Sequence, residues 1–168
     1  MNAAKKKTGK YVVSTPEKRP LIIRHYPDSL LRQKSDAIEN FDGVLFKLTE
    51  DMKVFMKENR GIGLAAPQVG ILKDFFVADI GGCPICLINP RIVDFSGEDK
   101  MVESCLSLPE YSREINRSTR VTVTGFDPHG KEVVYEVKGL LARVFQHEMD
   151  HLRGVLICDY APLKRSKI

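Results

Sequence analysis

The segment from Gly139 to Gly154, GLLARVFQHEMDHLRG, constrains this chain more than any other. Leu140, Leu141, Val144, Phe145, Glu148 and Leu152 recur at helical spacing, and Gly154 is a suitable terminator. Inside it, His147-Glu148-Met149-Asp150-His151 matches the pattern H-E-x-x-H. Residues four apart share one face of a helix, so both imidazoles can reach one ion at about 2.0–2.1 Å. Glu148 is turned about 100° away from His147, off the ion but beside water that the ion activates. A solvated helix can match this pattern by chance. Here the match is set among apolar residues, and burying two imidazoles and a carboxylate without a partner is costly. The reading is a metal-dependent hydrolase with Glu148 as general base.

A third protein ligand is needed. No histidine follows His151, Ile157 occupies the last position of the longer H-E-x-x-H-x-x-G-x-x-H pattern, and Asp159 would have to turn back across a short segment. The ligand is therefore expected upstream, where thiolates are the natural candidates. Cys105, in MVESCLSLPEY, is expected at a strand end, with Glu103 close enough to accept a hydrogen bond from an imidazole N–H. A buried, inert cysteine is the alternative. Cys83 and Cys86 form a C-x-x-C that could make half of a structural zinc site, but the other half is missing; Cys158 stands alone.

Upstream, Val44, Leu45, Leu48, Met52, Phe55 and Met56 predict an amphipathic helix over 42–57 with Asp42 as N-cap. Tyr26-Pro27-Asp28 is a turn able to cap a short helix. GIGLAAPQVG (61–70) follows neither periodicity. Strands are expected over 75–80, 85–89 and 92–95, and a β-hairpin over 119–138 around Asp127-Pro128-His129-Gly130. Helix, strands and helix without βαβ alternation predict an α+β fold, with antiparallel or mixed sheets packed around the central H-E-x-x-H helix.

The 168 residues suit one domain. Residues 1–19 read as a disordered, Lys-rich tail and 20–168 as a single catalytic domain. The tail lacks the apolar core of a secretory signal, and no run approaches the ~18 apolar residues of a membrane helix. The cytoplasm is the default compartment, with organellar import left open. The net charge of +4 is scattered and partly terminal, without aromatic interleaving, so no specific nucleic-acid partner is expected.

Three separated segments, GIGLAAPQ (61–68), ESCLS (103–107) and QHEMDH (146–151), resemble in order and separation the signature motifs of the peptide deformylases. LINP (87–90) and VLICDYAPL (155–163) are similar to further stretches of that family. The resemblance implies N-terminal methionine processing in protein biosynthesis, by removal of the formyl group from nascent N-formylmethionyl peptides. It implies Cys105, His147 and His151 as ligands of one divalent ion, Fe²⁺ in bacterial members, with Zn²⁺, Ni²⁺ or Co²⁺ able to substitute. It further implies Glu148 as base, with the Gln68 side-chain amide and the Leu106 backbone N–H stabilising the oxyanion. Gly61 and Gly63 would let an extended peptide approach, while Ile62, Leu140 and Val144 would line an apolar methionine pocket.

Three departures stand out. Ser104 replaces the family's usual glycine and, if it lies in the methionine pocket, should narrow it or lend it a hydroxyl. The chain lacks the long C-terminal helix that some bacterial members use at the ribosome, so weak ribosome association would rest on the basic termini. The Lys-rich N-terminal tail is itself atypical. Two rivals remain on sequence alone: a metallopeptidase using the same helix, and a non-catalytic zinc-stabilised module built on Cys83 and Cys86.

Overall fold

The computed structural model describes residues 20–160. The tail expected over residues 1–19 and the basic end beyond 160 lie outside the described residues. Ser29–Arg32 forms a 3-10 turn capped by Asp28, whose carboxylate accepts the Leu30 N–H at 2.9 Å. Helix α1 spans Gly43–Glu58, and the Asp42 side chain accepts the Leu45 N–H at 2.9 Å, satisfying one of the donors a helix start leaves open. The small-residue segment divides into strand β1 (Gly63–Ala65) and a 3-10 turn over Ala66–Val69. Then come β2 (Phe75–Ala78), β3 (Ile85–Ser96), β4 (Asp99–Cys105), β5 (Leu108–Arg117), β6 (Arg120–Phe126), β7 (Glu132–Lys138) and helix α2 (Gly139–Leu152).

Five strands pair in the order β1-β2-β3-β6-β7, and β4 with β5 makes a separate two-stranded sheet; both sheets are antiparallel throughout. The architecture is α+β. Strand β2 is buried on both faces because side chains alternate across a sheet. Phe75 and Val77 join Leu45, Met52 and Met56 of α1, while Phe76 and Ala78 join Ala142, Phe145 and Met149 of α2. Phe76 and Phe145 meet edge to face, with ring centroids 5.0 Å apart. The five-stranded sheet is thus held between the two helices. A third apolar cluster ties Leu31 and Leu156 to Cys105, Leu108 and Ile115 of the β4–β5 hairpin.

Two expectations need correcting. Segments 85–89 and 92–95 are one strand, interrupted by register shifts between Ile88 and Arg91 and between Ile92 and Asp94. At the first shift Asn89 takes a positive φ of 50°, and its side chain accepts the Ile38 N–H and donates to the Ile38 carbonyl, both at 2.8 Å. Those bonds tie the bulge to the segment before α1 and satisfy the Ile38 backbone. The β4–β5 hairpin was not anticipated, because its strands carry few inward apolar residues to alternate.

Candidate metal centre and its cleft

Helix α2 carries His147, Glu148 and His151, with Glu148 and His151 buried. The two imidazole centroids lie 5.0 Å apart, as expected for residues one turn apart. Cys105 closes β4, where a register shift between Ser104 and Cys105 re-aims the side chain. Its Sγ stands 3.2 Å from His151 Nε2. One donor atom each from Cys105, His147 and His151 falls within 4.8 Å of the others, the one such group of three among the described residues.

Glu103 organises this cluster from behind. His147 donates its Nδ1–H to Glu103 Oε2 at 2.9 Å, which leaves Nε2 for the cluster. Arg117 grips the same carboxylate with two bonds, of 2.6 and 2.9 Å, and Arg143 Nη1 adds a third at 2.7 Å. Burial alone would raise the Glu103 pKa, but the bonds from His147 and Arg117 outweigh it and hold the group at about 2. Arg143 also donates to the carbonyls of Ile115 and Asp99, and Arg117 reaches Asp150, which accepts the Tyr160 hydroxyl at 2.5 Å. Every charge in this network is paired.

Sequence reasoning missed Arg117, Arg143, Asp150 and Tyr160. One signal existed: Arg143 precedes His147 by one helical turn inside an apolar stripe, and a buried arginine needs a carboxylate.

The donor set fits a divalent ion. Burial holds His151 well below the usual imidazole value, so it is neutral. Burial lowers His147 as well, but Cys105 and Glu103 more than offset it and push that imidazole up to about 10, so a cation there competes with a proton. The fit is supported by orphaned atoms: Glu148 Oε2 and His151 Nδ1 are buried without a protein partner.

Glu148 is 3% exposed, and desolvation raises its pKa to about 7 against the pull of His147 and Arg117. It packs against β1 so closely that a Cβ on Gly63 would fall 2.3 Å from its Oε1. Gln68 is fixed from both ends: its Oε1 accepts the Ala65 N–H at 2.8 Å, and its Nε2 lies 3.5 Å from Cys105 Sγ and 3.3 Å from Ser107 Oγ. A cleft of about 580 Å³ opens over these groups. It is lined by Gly61, Ile62, Gly63, Ser104, Leu106, Leu140 and Val144, the residues that the family resemblance pointed to for the substrate and the oxyanion. Ser104 is exposed on its wall.

The other thiols stand apart from the donor group. Cys86 is buried among α1-facing apolar residues, and desolvation pushes its thiol up to about 12, which makes it inert near neutrality. Cys83 is exposed and Cys158 half-buried.

The sequence model of the polypeptide deformylase family matches residues 20–167. A peptide deformylase of Thermodesulfovibrio yellowstonii is 47% identical over 151 residues, covering 86% of this chain and 92% of that protein. Peptide deformylase 1 of Clostridium acetobutylicum is 48% identical over 137 residues, covering 82% and 91%. The crystal structure of the Thermotoga maritima peptide deformylase superposes with a TM-score of 0.83 at 44% identity, over 86% of this chain and 100% of that one. That of Ehrlichia chaffeensis, in complex with actinonin, gives 0.82 at 39% identity, over 85% and 89%.

Proposed function

This chain belongs to the peptide deformylase family, and from that premise we propose how its own residues carry out the family's removal of the N-formyl group from nascent polypeptides. Water adds to the formyl carbon, the C–N bond breaks, formate departs, and the freed methionine amine takes up a proton. Cys105, His147 and His151 would hold one divalent ion; thiolate with two imidazoles suits Fe²⁺, with Zn²⁺, Ni²⁺ or Co²⁺ able to replace it. When bound, the ion supplies Lewis acidity toward water and the formyl oxygen.

Glu148 is the general base. A pKa raised to about 7 lets it accept a proton from the attacking water and return it to the departing amine. Gln68 Nε2 and the backbone N–H of Leu106 donate to the developing oxyanion, a role typically worth about 3–4 kcal/mol per donor. The anchoring of the Gln68 amide through Ala65 supports this, since it costs no reorganisation during reaction. Ile62, Leu140 and Val144 receive the methionine side chain, and Ser104 offers a hydroxyl at the cleft wall. Gly61 and Gly63 let the peptide backbone approach β1.

The observation that carries this reading is the unpartnered Glu148 Oε2 beside the Cys105–His147–His151 group, at the base of a peptide-sized cleft. We place the reaction in the cytoplasm, in keeping with the bacterial relatives. Weak ribosome association through the basic termini rests on their charge. Among the described residues, no helix is long and apolar enough to cross a membrane.

The test is formate release by anaerobically purified protein from formyl-Met-Ala-Ser, against acetyl-Met-Ala-Ser. Release of formate without cleavage of the acetyl peptide or of internal bonds is the expected result. Internal cleavage would favour the metallopeptidase instead.

A further inference from the structure

Helix α1 ends in a Schellman motif: the Arg60 N–H donates to the Lys57 carbonyl and the Gly61 N–H to the Met56 carbonyl, both at 2.9 Å. The residue between cap and exit must enter the left-handed region, and glycine usually stands there. Here it is Arg60, with φ +57°. L side chains are strained in that conformation, and such strain gathers at functional sites. The strained backbone holds the Arg60 side chain exposed at the cleft.

The other charged groups lining the cleft are committed. Glu103 and Arg143 are bonded at 2.7 Å, His147 donates to Glu103, and Glu148 lies at the reacting end. Arg60 has no carboxylate partner among the described residues. Apart from the Ser104 hydroxyl, the rest of the rim is apolar, with Ile62, Met101, Val102 and Leu140 exposed. Among the described residues, a peptide leaving the site therefore meets mostly apolar walls and one cation without a carboxylate partner.

Strand β1 ends the sheet order, so among the described residues one of its edges carries no strand. Gly63 abuts Glu148, which fixes the formyl end of a peptide laid along that edge. Such a peptide runs back past Gly63 toward Arg60, and the three-residue separation spans about 10 Å of extended chain. We infer that Arg60 is a specificity-determining residue favouring substrates with a carboxylate about three residues from the formyl group. That carboxylate is an Asp or Glu side chain, or the chain end of a short peptide. The inference rests on the deformylase reading. A cation also suits the negative end of α1, a purely structural role that stability alone would report.

The experiment compares kcat/KM for C-terminally amidated formyl-Met-Ala-Glu-Ala and formyl-Met-Ala-Gln-Ala, with the acidic residue then moved one place either way. An exposed ion pair predicts about a three-fold preference for Glu at low salt, carried by KM and shrinking as salt rises. Arg60→Gln brings the ratio to about one, Arg60→Lys retains part of it, and Arg60→Glu reverses it toward a lysine substrate. Formyl-Met-Ala-Ala as free acid against its amide distinguishes the chain end from a side chain as the source. Arg60→Gly, comfortable at positive φ, should melt no lower than the parent yet lose the preference. A wild-type ratio of one, or a preference that survives in Arg60→Gln, overturns the inference. Absence of formate from both wild-type reactions would instead overturn the activity reading.

Discussion

His147 donates its Nδ1–H to Glu103 at 2.9 Å, and Arg117 and Arg143 hold that same buried carboxylate. One anion thus orients the His147 imidazole and pairs with two guanidinium groups, Asp150 sharing the charge of Arg117. Glu103→Ala should cost about 3–5 kcal/mol, because it strands Arg143 as a buried charge without a carboxylate and leaves Arg117 only Asp150. It should also weaken metal affinity by about 10–100-fold through loss of ring orientation. Urea denaturation and competition with a metal chelator measure the two effects separately.

Gly63 is required by what lies across from it. A Cβ there would meet Glu148 Oε1 at 2.3 Å and Val144 Cγ1 at 2.8 Å, so Gly63→Ala must displace the carboxylate. The expected result is a drop of about 10²-fold in kcat, since misplacing a catalytic group by about 1 Å costs on that order. Metal content should stay near one ion per chain, because none of the three donors is touched. Steady-state kinetics with metal analysis on the same preparation checks both.

Asp74 sets a pH dependence of stability outside the site. Desolvation raises its carboxyl from the ordinary 3.8 to about 6, despite Arg153, Lys34 and Arg91. The folded chain then binds the proton more tightly than the unfolded one, so this contribution is largest below about pH 4 and is lost as pH rises through 6. The side chain keeps part of its hydration, which limits the effect to about 1 kcal/mol. Asp74→Asn should be more stable than the parent at pH 7 and flatter in melting temperature between pH 4 and 7. Melting curves across that range test it.

Much of the site was legible because helical spacing is a geometric statement. The pair His147 and His151 needed only a helix, and α2 supplies it. The α1 cap at Asp42 and the β6–β7 hairpin followed equally from local chemistry. Gln68 was different, since its approach to Cys105 depends on how a 3-10 turn meets the end of β4, and only family resemblance pointed to it. The β4–β5 hairpin was illegible because charge, not apolar alternation, ties it to α2: Glu103 and Arg117 sit on its strands, and their partners lie 33 to 44 positions away. The gap expected between 85–89 and 92–95 falls at the bulge, where Asn89 takes a positive φ and bonds Ile38 while β3 continues.

The central claim is that Glu148 moves the proton in formamide hydrolysis while Cys105, His147 and His151 hold the ion. The most direct measurement is formate release from formyl-Met-Ala-Ser by Glu148→Gln, with metal counted in the same sample. The account predicts a loss of at least about 10²–10⁴-fold with one metal per chain retained, as removal of a positioned base requires. A variant that keeps its metal and releases formate at the parent rate would contradict it.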